Sequence, residues 1–281
     1  MRNSFAAAVL AAALAAASAA PAAPVEPGPG DWRPIDAQNA LVIDTSQGRI
    51  IVELYPEVAP AAVAQVEALA RQHFYDGLLF FRVIDGFMDQ TGDPLNTGKG
   101  ASSLPNLKGE FDFRYAPAAG SDVKELAPVP GGVIGFIGAM PFVGQPDAMA
   151  ALTVDGKVRG FGVFCSGVMG MARAQDADSA NSQFFLMRGE QMSLNQKYTP
   201  IGRVVAGVAI VRAIKTGDPV ADPKDRMVGV QVLADMPAGV RPDVRVLDTG
   251  GAAFKAEAAA MRAAKGQTFD PCALDVPARV S

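Results

Sequence analysis

Residues 80–93 read Phe80-Phe81-Arg82-Val83-Ile84-Asp85-Gly86-Phe87-Met88-Asp89-Gln90-Thr91-Gly92-Asp93. They continue an apolar stretch that runs from Leu78 to Met88 and is interrupted at Asp85-Gly86. That pattern predicts short strands around a turn. Arg82 is a charge inside an apolar strand. Taken by itself, such an arginine is more often paired with a carboxylate at the sheet surface than used in chemistry. Downstream, Gln90 to Pro105 is rich in Gly, Thr, Asn and Ser, and reads as a long surface loop.

The flanks repeat the theme of short strands. Ala40 to Asp44 and Arg49 to Leu54 alternate as strands around a Thr45-Ser46-Gln47-Gly48 turn. Glu57 to Ala70 has helical periodicity, with Pro60 in the first turn and Val63, Val66, Leu69 and Ala70 on one face. Gly131 to Gly138, Gly162 to Met171 and Ser182 to Met187 are further strand candidates, and Gly207 to Lys215 a second helix. Met227 to Leu233 and Val244 to Leu247 read as closing strands. Ala252 to Lys265 is Ala-rich with Lys, Glu and Arg, and predicts a separate helix stopped by Gly266. Short strands with two separated helices favour an antiparallel barrel or sandwich over a parallel α/β sheet.

The 281-residue chain is 49% hydrophobic and 19% charged, enough apolar content for a sizeable core. Its formal net charge is -4. No Lys/Arg cluster is present, which argues against nucleic acid as a partner. Arg2, the apolar run Phe5 to Ala17 and the small residues Ala17-Ser18-Ala19 form a signal-peptide pattern. The run is shorter than the ~20 residues a bilayer span needs. Residues 1–20 are therefore expected to direct export to the periplasm and be removed, leaving no stable membrane insertion. Residues 21–38 are Pro/Ala-rich and read as a linker, with order expected from about Asn39.

Export bears on the two cysteines. Cys165 and Cys272 are a candidate disulfide, with two unpaired buried thiols as the alternative. His73 is the single histidine. With no G-x-S-x-G motif beside it, triad catalysis has no support, and no metal or cofactor is implied. His73 reads as a surface residue at a helix end.

Two segments carry a resemblance. Residues 80–93 closely resemble the cyclophilin signature F-H-R-x-I-x-G-F-M-x-Q-x-G-D. Met171-Ala172-Arg173-Ala174-Gln175-Asp176, followed by Ser179-Ala180-Asn181-Ser182-Gln183-Phe184-Phe185-Leu186, is similar to the M-A-R-x-x-D…S-A-x-S-Q-F-F stretch of bacterial cyclophilins. Phe74-Tyr75-Asp76-Gly77 before the first block and Tyr198-Thr199-Pro200-Ile201-Gly202-Arg203-Val204 after the second agree in order, and the likeness runs from about Leu41 to Leu247.

The resemblance implies a mainly β chain: a closed eight-stranded antiparallel barrel capped by two helices. The barrel domain is expected over residues 39–250, with an insertion at about 114–166 and a C-terminal helical extension over 251–281. It implies a peptidyl-prolyl cis/trans isomerase of an exported bacterial branch, acting on proline-containing polypeptides, with no cofactor. Arg82 matches the family's catalytic arginine, with Gln90 beside it. Phe87, Met88 and Phe185 match the proline pocket, Leu194 and Tyr198 its far wall, and Gln183 a conserved-type amide of the site. Ala172 and Arg173 would flank the residue preceding proline. Phe81, Asp85 and Ser193 depart from the family pattern, and Ser193 stands where relatives carry an aromatic residue that contributes to cyclosporin binding. Weak cyclosporin affinity is therefore expected. A disulfide between Cys165 and Cys272 would tie the insertion to the C-terminal tail. The competing reading is a catalytically weak chaperone or peptide-binding module, and oligomeric state is left open.

Overall fold

A computed structural model describes residues 26–117 and 123–281. The expected signal peptide, residues 1–20, and the first residues of the expected linker lie outside the described residues. Eight strands form one antiparallel sheet in the order Met227–Val232, Ala40–Thr45, Gly48–Leu54, Pro200–Ala206, Val168–Met171, Phe184–Met187, Met88–Thr91, Arg82–Ile84. The sheet curls on itself. Its two edge segments meet through a single Leu79–Arg226 bridge, supported by Phe80 N–H to Asp225 O and Met227 N–H to Leu78 O, both at 2.9 Å.

Side-chain alternation sets the barrel's inside and outside. Val83, Phe184 and Leu186 point inward with Leu41, Ile43, Ile50, Val52, Met169 and Ile201 to form a dry core. Helix Pro60–Arg71 closes one end by burying Ala62, Val63, Val66, Leu69 and Ala70. Its free N-terminal N–H groups at Ala61 and Ala62 donate to the two carboxylate oxygens of Glu110, at 3.0 and 2.9 Å. That contact satisfies orphan donors and complements the helix dipole. The second helix, Val208–Ala213, is shorter than expected from the sequence. Its last carbonyls instead receive the buried guanidinium of Arg188, which donates to Val211 O, Arg212 O and Ile214 O.

The region read as a Gly/Pro-rich insertion is itself a sheet of five antiparallel strands. Their order is Phe113–Tyr115, Val158–Gly162, Met140–Gly144, Gly132–Ile137, Val123–Val129. Phe113, Tyr115 and Phe142 pack against one another on it, tilted or edge-on, with ring centroids 5.2 to 5.8 Å apart. Glycine and proline there mark hairpin turns and ring contacts, which composition by itself reads as loop.

Two expectations are corrected. Val244–Leu247 does not close the barrel. It is the middle of a separate three-stranded sheet, between Trp32–Pro34 and Ala278–Val280. Order also begins before Asn39, since Trp32–Pro34 is a strand within the segment read as linker. The arginine of that strand explains its placement: Arg33 makes a bidentate pair with buried Glu53 of the barrel, at 2.6 and 2.8 Å. Helix Ala252–Lys265 ends at Gly266 and packs Phe254 on Phe136 of the five-stranded sheet, centroids 5.2 Å apart.

Candidate active site

One transverse row of the sheet carries the polar centre. Arg82 pairs with Gln90, Gln90 with Phe185, and Phe185 with Gly170. Partners in register point to the same face, and so do residues two apart on one strand. Met88, Gln90, Gln183 and Phe185 therefore share the outer face with Arg82, while Asp89 and Phe184 face in. A Cβ at Gly170 would lie 2.6 Å from Phe164 Cε1 and 2.7 Å from Phe185 Cζ. Glycine there lets both rings lie flat on the sheet.

The polar groups form a directional chain. Arg82 Nη1 donates to Gln90 Oε1 at 3.3 Å, Gln90 Nε2 to Gln183 Oε1 at 3.0 Å, and Gln183 Nε2 to Gly100 O at 2.8 Å. A carbonyl only accepts, so Gly100 dictates which end Gln183 presents, and Gln183 in turn orients Gln90. Arg82 Nε donates to Asp218 Oδ2 at 3.1 Å. Among the described residues Nη2 has no hydrogen-bond partner, and the Arg82 side chain keeps 35% of its surface exposed. A guanidinium so held offers a fixed donor to whatever lies in the groove.

The apolar wall adjoins this chain. Met88, Phe185 and Leu194 are buried in one cluster, with Phe87, Ala172 and Tyr198 packed partly exposed against it. Phe164 lies 5.7 Å and Tyr198 6.0 Å from Phe185, centroid to centroid, the latter edge-on. Leu194 comes from the short 3-10 turn Met192–Leu194, anchored by Gln191 N–H to Phe164 O at 2.8 Å. Ser193 in the same turn is exposed.

Arg173 stands apart from the donors. Its Nε donates to Lys197 O at 2.8 Å and its Nη1 to Ala174 O and Gln175 O. Its guanidinium is sandwiched between Tyr198, at 4.6 Å, and Phe111, at 5.7 Å. Three hydrogen bonds and two aromatic faces hold this guanidinium in place as a brace between Lys197 and the Ala174-Gln175 turn. Cys165 and Cys272 are disulfide-bonded, Cα to Cα 5.1 Å, with Cys165 in the same apolar cluster as Phe164 and Phe185 and Cys272 packed against it. His73 is exposed and paired with Asp76 at 3.0 Å. The only trio of potential metal ligands found among the described residues, Glu190, Asp270 and Cys272, includes a disulfide sulfur.

The structure brings Arg82, Gln90 and Gln183 into one hydrogen-bonded chain and Phe87, Met88, Phe185, Ala172, Leu194 and Tyr198 into one apolar cluster beside it. The sequence reading missed Asp218, Phe111, Phe164 and the Gly100 carbonyl. Gly217-Asp218-Pro219 signals a turn, but nothing local links that turn to Arg82.

A family model described as "Cyclophilin type peptidyl-prolyl cis-trans isomerase/CLD" matches residues 40–233. A probable peptidyl-prolyl cis-trans isomerase of Brucella suis is 34% identical over 182 residues, covering 65% of this chain and 74% of the relative. Peptidyl-prolyl cis-trans isomerase B of Bacillus subtilis is 31% identical over 170 residues, covering 60% of this chain and 85% of the relative. Among solved structures, cyclophilin AquaCyp293 from Hirschia baltica superposes with a TM-score of 0.80 at 32% identity. That match covers 90% of this chain and 94% of the other, so the likeness reaches beyond the barrel.

Proposed function

Because the chain belongs to the cyclophilin-type peptidyl-prolyl cis–trans isomerase family, we propose that it speeds X–Pro amide rotation at the Arg82 groove, in polypeptides folding outside the cytoplasm. The carrying observation is the Arg82 guanidinium, whose Nη2 has no hydrogen-bond partner among the described residues, in the same row of the sheet as Gln90 and Phe185, the latter packed in one apolar cluster with Met88 and Leu194.

The reaction breaks no bond to carbon and moves no proton permanently. Its obstacle is amide resonance, with a barrier of about 18–20 kcal/mol and uncatalysed exchange in tens to hundreds of seconds. A five-decade acceleration requires a reduction of roughly 7 kcal/mol. In the twisted state the prolyl nitrogen regains a lone pair. A preorganised guanidinium that donates to it favours that state over both planar ground states. The apolar socket of Phe87, Met88, Phe185 and Leu194 holds the pyrrolidine ring while the other side of the chain turns. Gln90 and Gln183 offer amides to the peptide backbone while orienting Arg82. This chemistry needs no general acid or base, and His73, exposed and paired with Asp76, has no part in it.

A protease-coupled proline-peptide assay tests the reading. Arg82→Ala should remove most of the catalysis, and Arg82→Lys, which keeps charge but loses the planar fork, should restore little. An inactive wild type, or a fully active Arg82→Ala, overturns it.

Work outside the cytoplasm is supported by the signal-like pattern of residues 1–20 and by the Cys165–Cys272 bond, which suits an oxidising compartment. Intact mass of the protein from a periplasmic extract should show loss of about the first twenty residues and no free thiol. Full-length protein confined to the cytosol overturns this part.

A further inference from the structure

One contact of Arg82 comes from outside the two sequence blocks: the carboxylate of Asp218 on Nε. We propose that Asp218 is a positioning residue for the isomerase reaction, fixing the guanidinium so that Nη2 is the nitrogen offered to the twisting amide. The proposal rests on the isomerase reading above.

Two hydrogen bonds at two corners of a planar group fix both its plane and its rotation within that plane. Gln90 holds Nη1 from one side and Asp218 holds Nε from the other. Removing Asp218 leaves a 3.3 Å contact to a neutral amide as the sole tether. A guanidinium on three rotatable carbons then swings away from the groove. Small misplacements of a catalytic group are costly because effective concentration depends on alignment.

Exposed ion pairs usually contribute little, because two long side chains must be ordered to form them. Asp218 is 51% exposed at its side chain, but its backbone is already fixed. Val83 and Gly217 exchange both hydrogen bonds, at 2.8 and 2.7 Å, and Val220 N–H donates to Phe81 O at 3.0 Å. These three bonds bracket Arg82 on one strand and Asp218 on the other. Gly217 permits the tight turn that carries Asp218: a Cβ there would lie 2.7 Å from Val220 Cα and 2.8 Å from Pro219 O. The rest of the loop is stapled by Lys215. Its N–H donates to Asp225 Oδ2 at 2.8 Å, and its Nζ donates to Ala221 O, Asp222 O and Pro223 O at 2.9 to 3.3 Å. A short aspartate on a stapled loop needs little further ordering to meet Arg82.

The test measures kcat and KM on a proline peptide, with residual rates read by NMR exchange. Asp218→Ala should lower kcat about tenfold with KM changed by no more than about twofold. Asp218→Asn keeps an acceptor oxygen and should recover most of the loss. In an Arg82→Ala background, Asp218→Ala should lower kcat no further, since its effect passes through Arg82. Asp222→Asn, on the same loop but directed at Lys224, should leave kcat unchanged. Wild-type kcat in Asp218→Ala overturns the proposal. So do equal losses in the two backgrounds, or an Asp222→Asn loss as large as that of Asp218→Ala. An inactive wild type removes the isomerase reading and this proposal together. An active wild type with impaired Arg82→Ala and indifferent Asp218→Ala removes Asp218 alone.

Discussion

Asp89 accepts a hydrogen bond from Arg188 Nη1 at 3.0 Å on the inner face of the strand whose outer face carries Met88 and Gln90. Asp89 is wholly buried, and among the described residues its second carboxylate oxygen and Arg188 Nε have no hydrogen-bond partner. The pair joins the groove's strand to the end of the second helix, where Arg188 also holds three carbonyls.

Burial pushes the Asp89 carboxyl up to about 7 against the pull of Arg188. A carboxyl raised in the fold binds its proton more tightly there than in the unfolded chain. Its contribution to stability is therefore full below its ordinary value and is lost as pH rises through about 7. Thermal midpoints from pH 4 to pH 8.5 should show this decline, and Asp89→Asn should flatten it. An equal slope in the variant counts against the assignment.

Glu110 caps a helix 48 residues distant in sequence. Glu110→Ala leaves the Ala61 and Ala62 N–H groups without their acceptor and should cost about 1 kcal/mol, as a lost N-terminal cap does. Urea unfolding at neutral pH reads it, and Glu110→Gln should restore part of the loss through one acceptor oxygen.

The Cys165–Cys272 bond spans 107 residues of sequence. In the chain-entropy account a loop of that length is worth up to about 4–5 kcal/mol. Reduction, or Cys272→Ser, should lower the midpoint of chemical unfolding accordingly. Since Phe164 adjoins Cys165 in the chain and contacts Phe185, KM for proline peptides should rise as well.

The amide chain runs one way. Gln183→Glu removes the donor to Gly100 O and sets a carboxylate against that carbonyl. Gln90 then loses its fixed orientation, and kcat/KM should fall about tenfold, consistent with loss of one preorganised contact. Retained kcat/KM with wild-type stability would show that Gly100 does not orient the chain.

Ser193 is exposed where the resemblance places an aromatic contact for cyclosporin. Titration calorimetry should find weak binding, while proline-peptide turnover persists. A nanomolar dissociation constant contradicts the expectation.

The short apolar runs between turn residues and the 3.6-residue spacing of Val63, Val66 and Leu69-Ala70 are local signals. From them the chain's β-rich character and its first helix were readable, whereas Gln90 and Thr91, read as the start of a surface loop, belong to the strand Met88–Thr91. The two motif blocks carry most of the candidate site residues because each joins parts of two strands of the same sheet, and register aligns them. Other features depend on which distant segments meet, and periodicity carries no information about that. The Asp218 carboxylate reaches Arg82 from 136 residues away because the Val83–Gly217 bridge sets the register there. Trp32–Pro34 becomes a strand because Val244–Leu247 offers it an edge and Glu53 offers Arg33 a charge. The glycines and prolines of the insertion mark turns and leave the partner strands unspecified. Sequence by itself named Arg82 and its strand neighbours; only the tertiary structure decided what holds Arg82 in place, because hydrogen-bond partners are chosen in space.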